Sequence, residues 1–149
     1  MKNNQGMSII VKTVTRVSVW LMVLYAWYII LHGHLTPGGG FGGGVIFAIA
    51  MLNVLLAYGS EFTEKWLKIR LLHDIEAASI LLFLIVGILG ISVLGGFLTN
   101  FILKGKLYEL ISAGTIPIFN ILIGIKVAMS LFLAVLILAK TNIENGGEV

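Results

Sequence analysis

The chain contains no cysteine, only three histidines and only 11% charged residues in 149, and each scarcity removes a class of function. Without thiolates there is no iron–sulfur site and no zinc site of the cysteine-bearing kinds. Any electron transfer coupled to this chain therefore happens in another polypeptide. Charge at less than half the roughly 25% usual in a soluble domain, with 58% hydrophobic residues, marks an integral membrane protein. The mean hydropathy of +1.04 agrees. Lys and Arg exceed Asp and Glu by ten to seven, a net charge of +3, but they are scattered and mostly flank apolar runs. They read as membrane-edge anchors rather than a nucleic-acid surface, and no nucleic acid is expected as a partner.

What is abundant is glycine, and it is concentrated. His32 to Gly44 reads His-Gly-His-Leu-Thr-Pro-Gly-Gly-Gly-Phe-Gly-Gly-Gly and holds seven of the eighteen glycines. Glycine lets a backbone turn tightly and approach a neighbour closely, so the stretch is expected to be a non-helical connection. At membrane depth such a backbone survives only against protein or a water-filled cavity. Pro37, Gly38, Gly39, Gly40, Phe41, Gly43 and Gly44 are accordingly assigned to packing against another subunit. As a phosphate cradle the run fails: no strand precedes it, no Gly-Lys-Ser/Thr ends it, and an apolar span follows.

The apolar runs predict an all-α four-transmembrane-helix bundle, with spans near residues 8–34, 41–59, 74–99 and 116–140 and the glycine-rich connection between the first two. The whole chain, 1–149, reads as a single membrane domain in the lipid bilayer. The first run lacks a small-residue cleavage pattern, so it reads as a retained anchor rather than a signal peptide. In the second, Ala50, Asn53 and Ala57 share one small, polar face suited to helix contact. Glu61 to Glu76 is the only charge-rich segment and is expected to form one short interfacial helix, supported by Glu61–Lys65 and Glu64–Lys68 pairs at i, i+4. Gly87, Gly90, Gly95 and Gly96 suggest close helix packing in the third span, and Thr141 to Val149 a frayed polar tail. One side holds Lys2, Lys12, Arg16, Lys65, Lys68, Arg70 and Lys140, the other Lys104 and Lys106, which places both termini in the cytoplasm.

Lys126 stands out, ten residues from Ile116 and thirteen from Ala139. About 15 Ile, Leu, Val and Phe at roughly −0.3 to −0.6 kcal/mol each outweigh the roughly +3 kcal/mol of one central lysine, so insertion is tolerated. The charge still needs a receiver. Asp74, Glu76 and Glu109 all read as lying near span ends, so the partner is expected in another subunit, or the amine is neutral through burial. The reading is divided evenly between an ion or proton relay and a structural anchor for a neighbouring subunit. Asn120 lies about 120° round the helix, so one face cannot present both residues. His32 and His34 are possible proton carriers, because imidazole titrates near pH 6.5. As a metal site His-x-His lacks a third ligand, and no metal is expected. Asn53 completes the candidates for an ion path.

The Pro37-Gly-Gly-Gly-Phe41 motif with Gly43-Gly44 at the head of a span, four spans in about 150 residues, and Gly114-Thr115-Ile116-Pro117 ahead of the last span together form a pattern. It resembles the B subunit of Mrp/Mnh-type multisubunit sodium/proton antiporters, from Tyr25 to about Ser130. The segment Ile118-Phe-Asn-Ile-Leu-Ile-Gly-Ile-Lys-Val127 is more similar to the homologous subunit of archaeal membrane-bound respiratory complexes, in which an antiporter module joins a hydrogenase or sulfane sulfur reductase module. Stand-alone antiporters are expected to carry an acidic residue where Asn120 stands and no lysine at 126. The resemblance implies an accessory subunit of the plasma membrane in a sodium/proton-translocating assembly, with no cofactor and no catalytic residue of its own. Its implied partners are other membrane subunits of the antiporter module, a separate redox module, sodium ions and protons. A purely structural subunit remains the alternative. A transporter acting alone fits poorly, because no internal repeat is visible.

Overall fold

The computed structural model describes residues 7–35, 37–102, 105 and 113–145. Lys2, Lys104, Lys106 and Glu109 lie outside them. Five helices and no strand are found among the described residues: α1 (Ile9–Leu31), α2 (Gly39–Tyr58), α3 (Ser60–Trp66), α4 (Ile69–Leu94) and α5 (Ile116–Asn145). α1, α2, α4 and the Ile116–Thr141 part of α5 are long and apolar enough to cross a membrane. The expected all-α architecture with four spans is therefore present.

α2 packs against α1 on one side and α5 on the other, and α4 rests on α5. Their shared core is Met51 and Leu55 of α2, Leu72 of α4, and Phe132, Leu133 and Leu136 of α5. Lipid tails are as apolar as these side chains, so close fit rather than exclusion of water drives the association. Three contacts gather one end of the bundle. Met7 N donates to Ala57 O at 3.0 Å, Tyr58 Oη donates to Lys12 O at 3.4 Å, and Lys140 Nζ lies 2.6 Å from Glu64 Oε1. The start of α1, the end of α2, α3, the start of α4 and the end of α5 thus share that end. The glycine-rich connection and the start of α5 lie at the other.

Several boundaries differ from those expected. α2 begins at Gly39, so five glycines of the stretch are helical and the expected non-helical connection is shorter. Glycine costs about 1 kcal/mol per residue in a helix. The cost is offset here by close contact, and in lipid the helix is the structure that satisfies its own backbone groups. The charge-rich segment does not form one interfacial helix. It breaks after Trp66, and α4 starts at Ile69, because Ile69 and Leu72 turn inward onto the core while Arg70 and Asp74 stay exposed. Glu64 reaches across to Lys140 rather than along the chain to Lys68, whose carbonyl accepts from Leu72 N at the start of α4. α4 ends at Leu94, not near 99. Gly95, at φ 76°, reverses the chain so that residues 96–99 fold back along the helix. Leu98 N then donates to Gly87 O at 3.2 Å, and a Cβ on Gly90 would meet Gly96 O at 2.9 Å. The glycines of α4 receive their own return segment rather than another helix. α1 ends at Leu31, three residues short of expectation, whereas α5 continues to Asn145 and takes in the start of the expected frayed tail.

Candidate ion-path site

The earlier start of α4 changes the environment of Lys126. Glu76 lies seven residues inside the helix, about 10 Å by the helical rise, and not at its end. α4 and α5 run antiparallel, with the rings of Phe83 and Phe119 4.9 Å apart. Seven residues back along α4 is Glu76, and seven residues forward along α5 is Lys126. Two helical turns carry both side chains back to the shared seam, and Lys126 Nζ lies 3.9 Å from Glu76 Oε1. Ser130, one turn further on, donates its hydroxyl to the same oxygen. His73, one turn before Glu76, places Nδ1 4.0 Å from Oε2. The expectation that Lys126 has no partner in its own chain is therefore corrected. The partner is Glu76, which reads as terminal only when the span is taken to begin at residue 74.

The cluster is graded in exposure. The His73 side chain is 55% exposed, Lys126 40% and Glu76 26%. Beside Lys126, a cavity of about 180 Å³ between the helices is walled by Ser79, Ile80, Phe83, Leu122 and Ile123. Ser79 turns its hydroxyl to Ile75 O at 2.7 Å and leaves the cavity almost wholly apolar. The polar cluster thus borders an apolar hollow, and Lys126 stands between the two.

The other candidates do not join this cluster. Asn120 faces α2, where its Oδ1 accepts from Gly40 N at 3.4 Å. The first turn of a helix leaves N–H groups without intrahelical acceptors, and the N-cap Gly38 has no side chain to supply one. Asn120 supplies it from a neighbouring helix. Its own Nδ2 is enclosed and has no hydrogen-bond partner among the described residues. The separation of Asn120 and Lys126 expected from helical periodicity is thus realised as two faces with different neighbours. Asn53 Nδ2 meets Met22 Sδ of α1 at 3.3 Å. His32 closes α1, with Nδ1 3.0 Å from Tyr28 O and its ring stacked on that of Tyr28. His34 lies part-buried in the turn that follows. All three lie away from the Glu76–Lys126 pair. Among the described residues, no three His, Cys, Asp or Glu are grouped as a metal ion would need.

The glycine stretch makes its close approaches within the chain. A Cβ on Gly40 would stand 2.3 Å from Asn120 O, one on Gly43 2.8 Å from Ala26 O, and one on Gly44 2.6 Å from Gly124 O. These three glycines are the surfaces on which α1 and α5 rest. Pro37 and Phe41 are exposed, a Cβ on the exposed Gly38 would meet Ile29 of α1 at 2.8 Å, and Gly42 has nothing within reach of a Cβ.

Residues 10–133 match a family model described as a domain related to the MnhB subunit of the Na+/H+ antiporter. The chain belongs to the MnhB family. Among its relatives, an uncharacterised protein of Methanocaldococcus jannaschii is 37% identical over 80% of this chain and 47% of its own length. The B subunit of the Na(+)/H(+) antiporter of Bacillus subtilis is 32% identical over 67% of this chain and 69% of its own. The chain thus spans about half the length of the archaeal relative. A chain in the structure of the membrane-bound sulfane sulfur reductase, an archaeal respiratory membrane complex, superposes with a TM-score of 0.74 at 33% identity. That match covers 91% of this chain and 61% of the other. The glycine motif, the four spans and the last-span segment that carried the resemblance to this family all lie inside the region matched by the family model, apart from Ile9 and the end of α5.

Proposed function

We propose that this chain is an accessory membrane subunit, folded as one membrane domain, of a multisubunit assembly that moves sodium ions and protons. The assembly is a respiratory complex in which a separate redox module drives the antiporter module. Both termini face the cytoplasm. The relatives supply the setting, and the observation that carries the role is the Glu76–Lys126 pair, which joins two helices long and apolar enough to cross a membrane. Ionisable groups at that depth are costly in lipid and mark ion or proton paths in membrane proteins. A purely structural subunit has no use for a titratable pair at this position, since apolar packing would hold α4 on α5 at lower cost.

Lys126→Met keeps the length of the side chain and removes its charge. The assembly is expected to form normally and to lose at least tenfold in coupled sodium and proton flux, measured in proteoliposomes with dyes for each ion. Wild-type flux of both ions across the working pH range would leave only the scaffold role.

A further inference from the structure

We infer that the Glu76 cluster is a proton inlet, with His73 at its mouth, and that sodium does not pass through it. The inference rests on the relay reading above and adds to it which ion this chain handles and from which end. The donors decide the ion. Sodium is a hard cation that requires several oxygen ligands, as the other hard cations of biology do. Among the described residues, one carboxylate and one hydroxyl are the side-chain oxygens of the cluster, and they bond to each other. Each Glu76 oxygen also faces a nitrogen, Lys126 Nζ at 3.9 Å and His73 Nδ1 at 4.0 Å. A metal cation seated on Glu76 would stand beside an ammonium group and be repelled by it. A proton meets the opposite situation, with a base or an acid at every step.

The position of His73, nearest the start of α4, gives the direction of entry. His73 is the most exposed of the three, lies near the start of α4 and shares that end of the bundle with the Glu64–Lys140 pair. Arg70 and Asp74 flank His73 on α4 and stay exposed, the Glu64–Lys140 pair is engaged with itself, and the groups facing Glu76 are His73 on its own helix and Lys126 and Ser130 on α5. A protonated His73 passes its proton to the Glu76 carboxylate, giving a neutral imidazole and a carboxylic acid. Once the Lys126 ammonium has released its own proton toward the cavity face, the acid passes its proton to the amine so left, which restores the carboxylate and re-forms the ammonium. No other bond is made or broken. Both gaps exceed hydrogen-bond length by about 1 Å, which one side-chain rotation or one bridging water closes. Lys126, at the wall of the cavity between α4 and α5, presents the proton to whatever covers that face.

The test uses the intact assembly containing this chain, reconstituted in proteoliposomes, with proton flux and sodium-for-sodium exchange measured separately. Glu76→Gln is expected to lower proton flux at least tenfold and leave sodium exchange unchanged. His73→Gln, a change at an exposed position that folding does not need, is expected to flatten the pH dependence of proton flux on the side where α4 begins. Glu76→Asp restores part of the flux, which separates loss of the acid from loss of structure. Wild-type proton flux in Glu76→Gln, or an unaltered pH profile in His73→Gln, overturns the inlet. Loss of sodium exchange in an assembled Glu76→Gln complex overturns the choice of ion. If Lys126→Met impairs flux while the Glu76 and His73 variants behave as wild type, the relay reading stands and the inlet falls.

Discussion

Lys126 and Asn120 sit six residues apart on one helix and do different work, because a helix turns about 100° per residue and six residues leave them about 120° apart. One faces α4 and meets a carboxylate. The other faces α2 and accepts a hydrogen bond from one N–H of its first turn. For Asn120 this leads to a prediction that depends on shape and acceptor rather than on charge. Asn120→Asp keeps an oxygen for Gly40 N and is expected to preserve the fold. Asn120→Leu leaves that N–H without its acceptor, at a cost of about 1–3 kcal/mol, in a place where Gly33 and Gly39 leave no room for a branched side chain. A lower melting temperature in detergent for the leucine variant alone would support this role. Equal melting of both variants would show that the hydrogen bond contributes nothing. The sequence identifies both residues as candidates, and it also separates them by face. It does not assign their partners, because partners follow from the register between helices, which no local pattern encodes.

At the scale of the element, the glycine stretch and the start of α4 show where a sequence reading reaches and where it stops. The close approach made by the glycines is legible in their density. What they approach is not, since a smooth helix face fits a neighbour in the same chain as well as one in another. Their helical conformation is hidden for a related reason. Glycine's low helix propensity is a weak local term, and contact with α1 and α5 overrides it. The start of α4 is displaced because the charges at 70, 73, 74 and 76 outweigh the signal from Ile69 and Leu72, two apolar residues that point to the core. Moving that boundary by five residues is what turns Glu76 from an end group into a partner for Lys126. Two single changes in α2 test the packing account. Gly44→Ala places a methyl 2.6 Å from Gly124 O, a backbone atom that cannot move aside, and is expected to destabilise the chain by about 1–3 kcal/mol. Gly42→Ala meets nothing within 4 Å and gains helix propensity, so it is expected to be neutral or stabilising by up to about 1 kcal/mol. Equal effects on thermal stability in detergent would refute packing as the reason for these glycines.

For the molecule as a whole, the bundle divides its charges unequally between its two ends. Lys12, Arg16, Lys65, Lys68, Arg70 and Lys140 belong to the elements gathered by the Met7–Ala57, Lys12–Tyr58 and Glu64–Lys140 contacts. Positive residues near span ends are retained on the cytoplasmic side during insertion, so this end is expected to face the cytoplasm and the glycine connection to face outward. That orientation gives the proton inlet its meaning, because His73 would then sample the cytoplasmic pH. The absence of native cysteine makes the orientation directly measurable. Lys68→Cys and Asn145→Cys are expected to react with a membrane-impermeant maleimide only in inverted vesicles, and Pro37→Cys only in right-side-out ones. The reverse pattern would turn the subunit over in the membrane, and the inlet would then draw its protons from outside the cell.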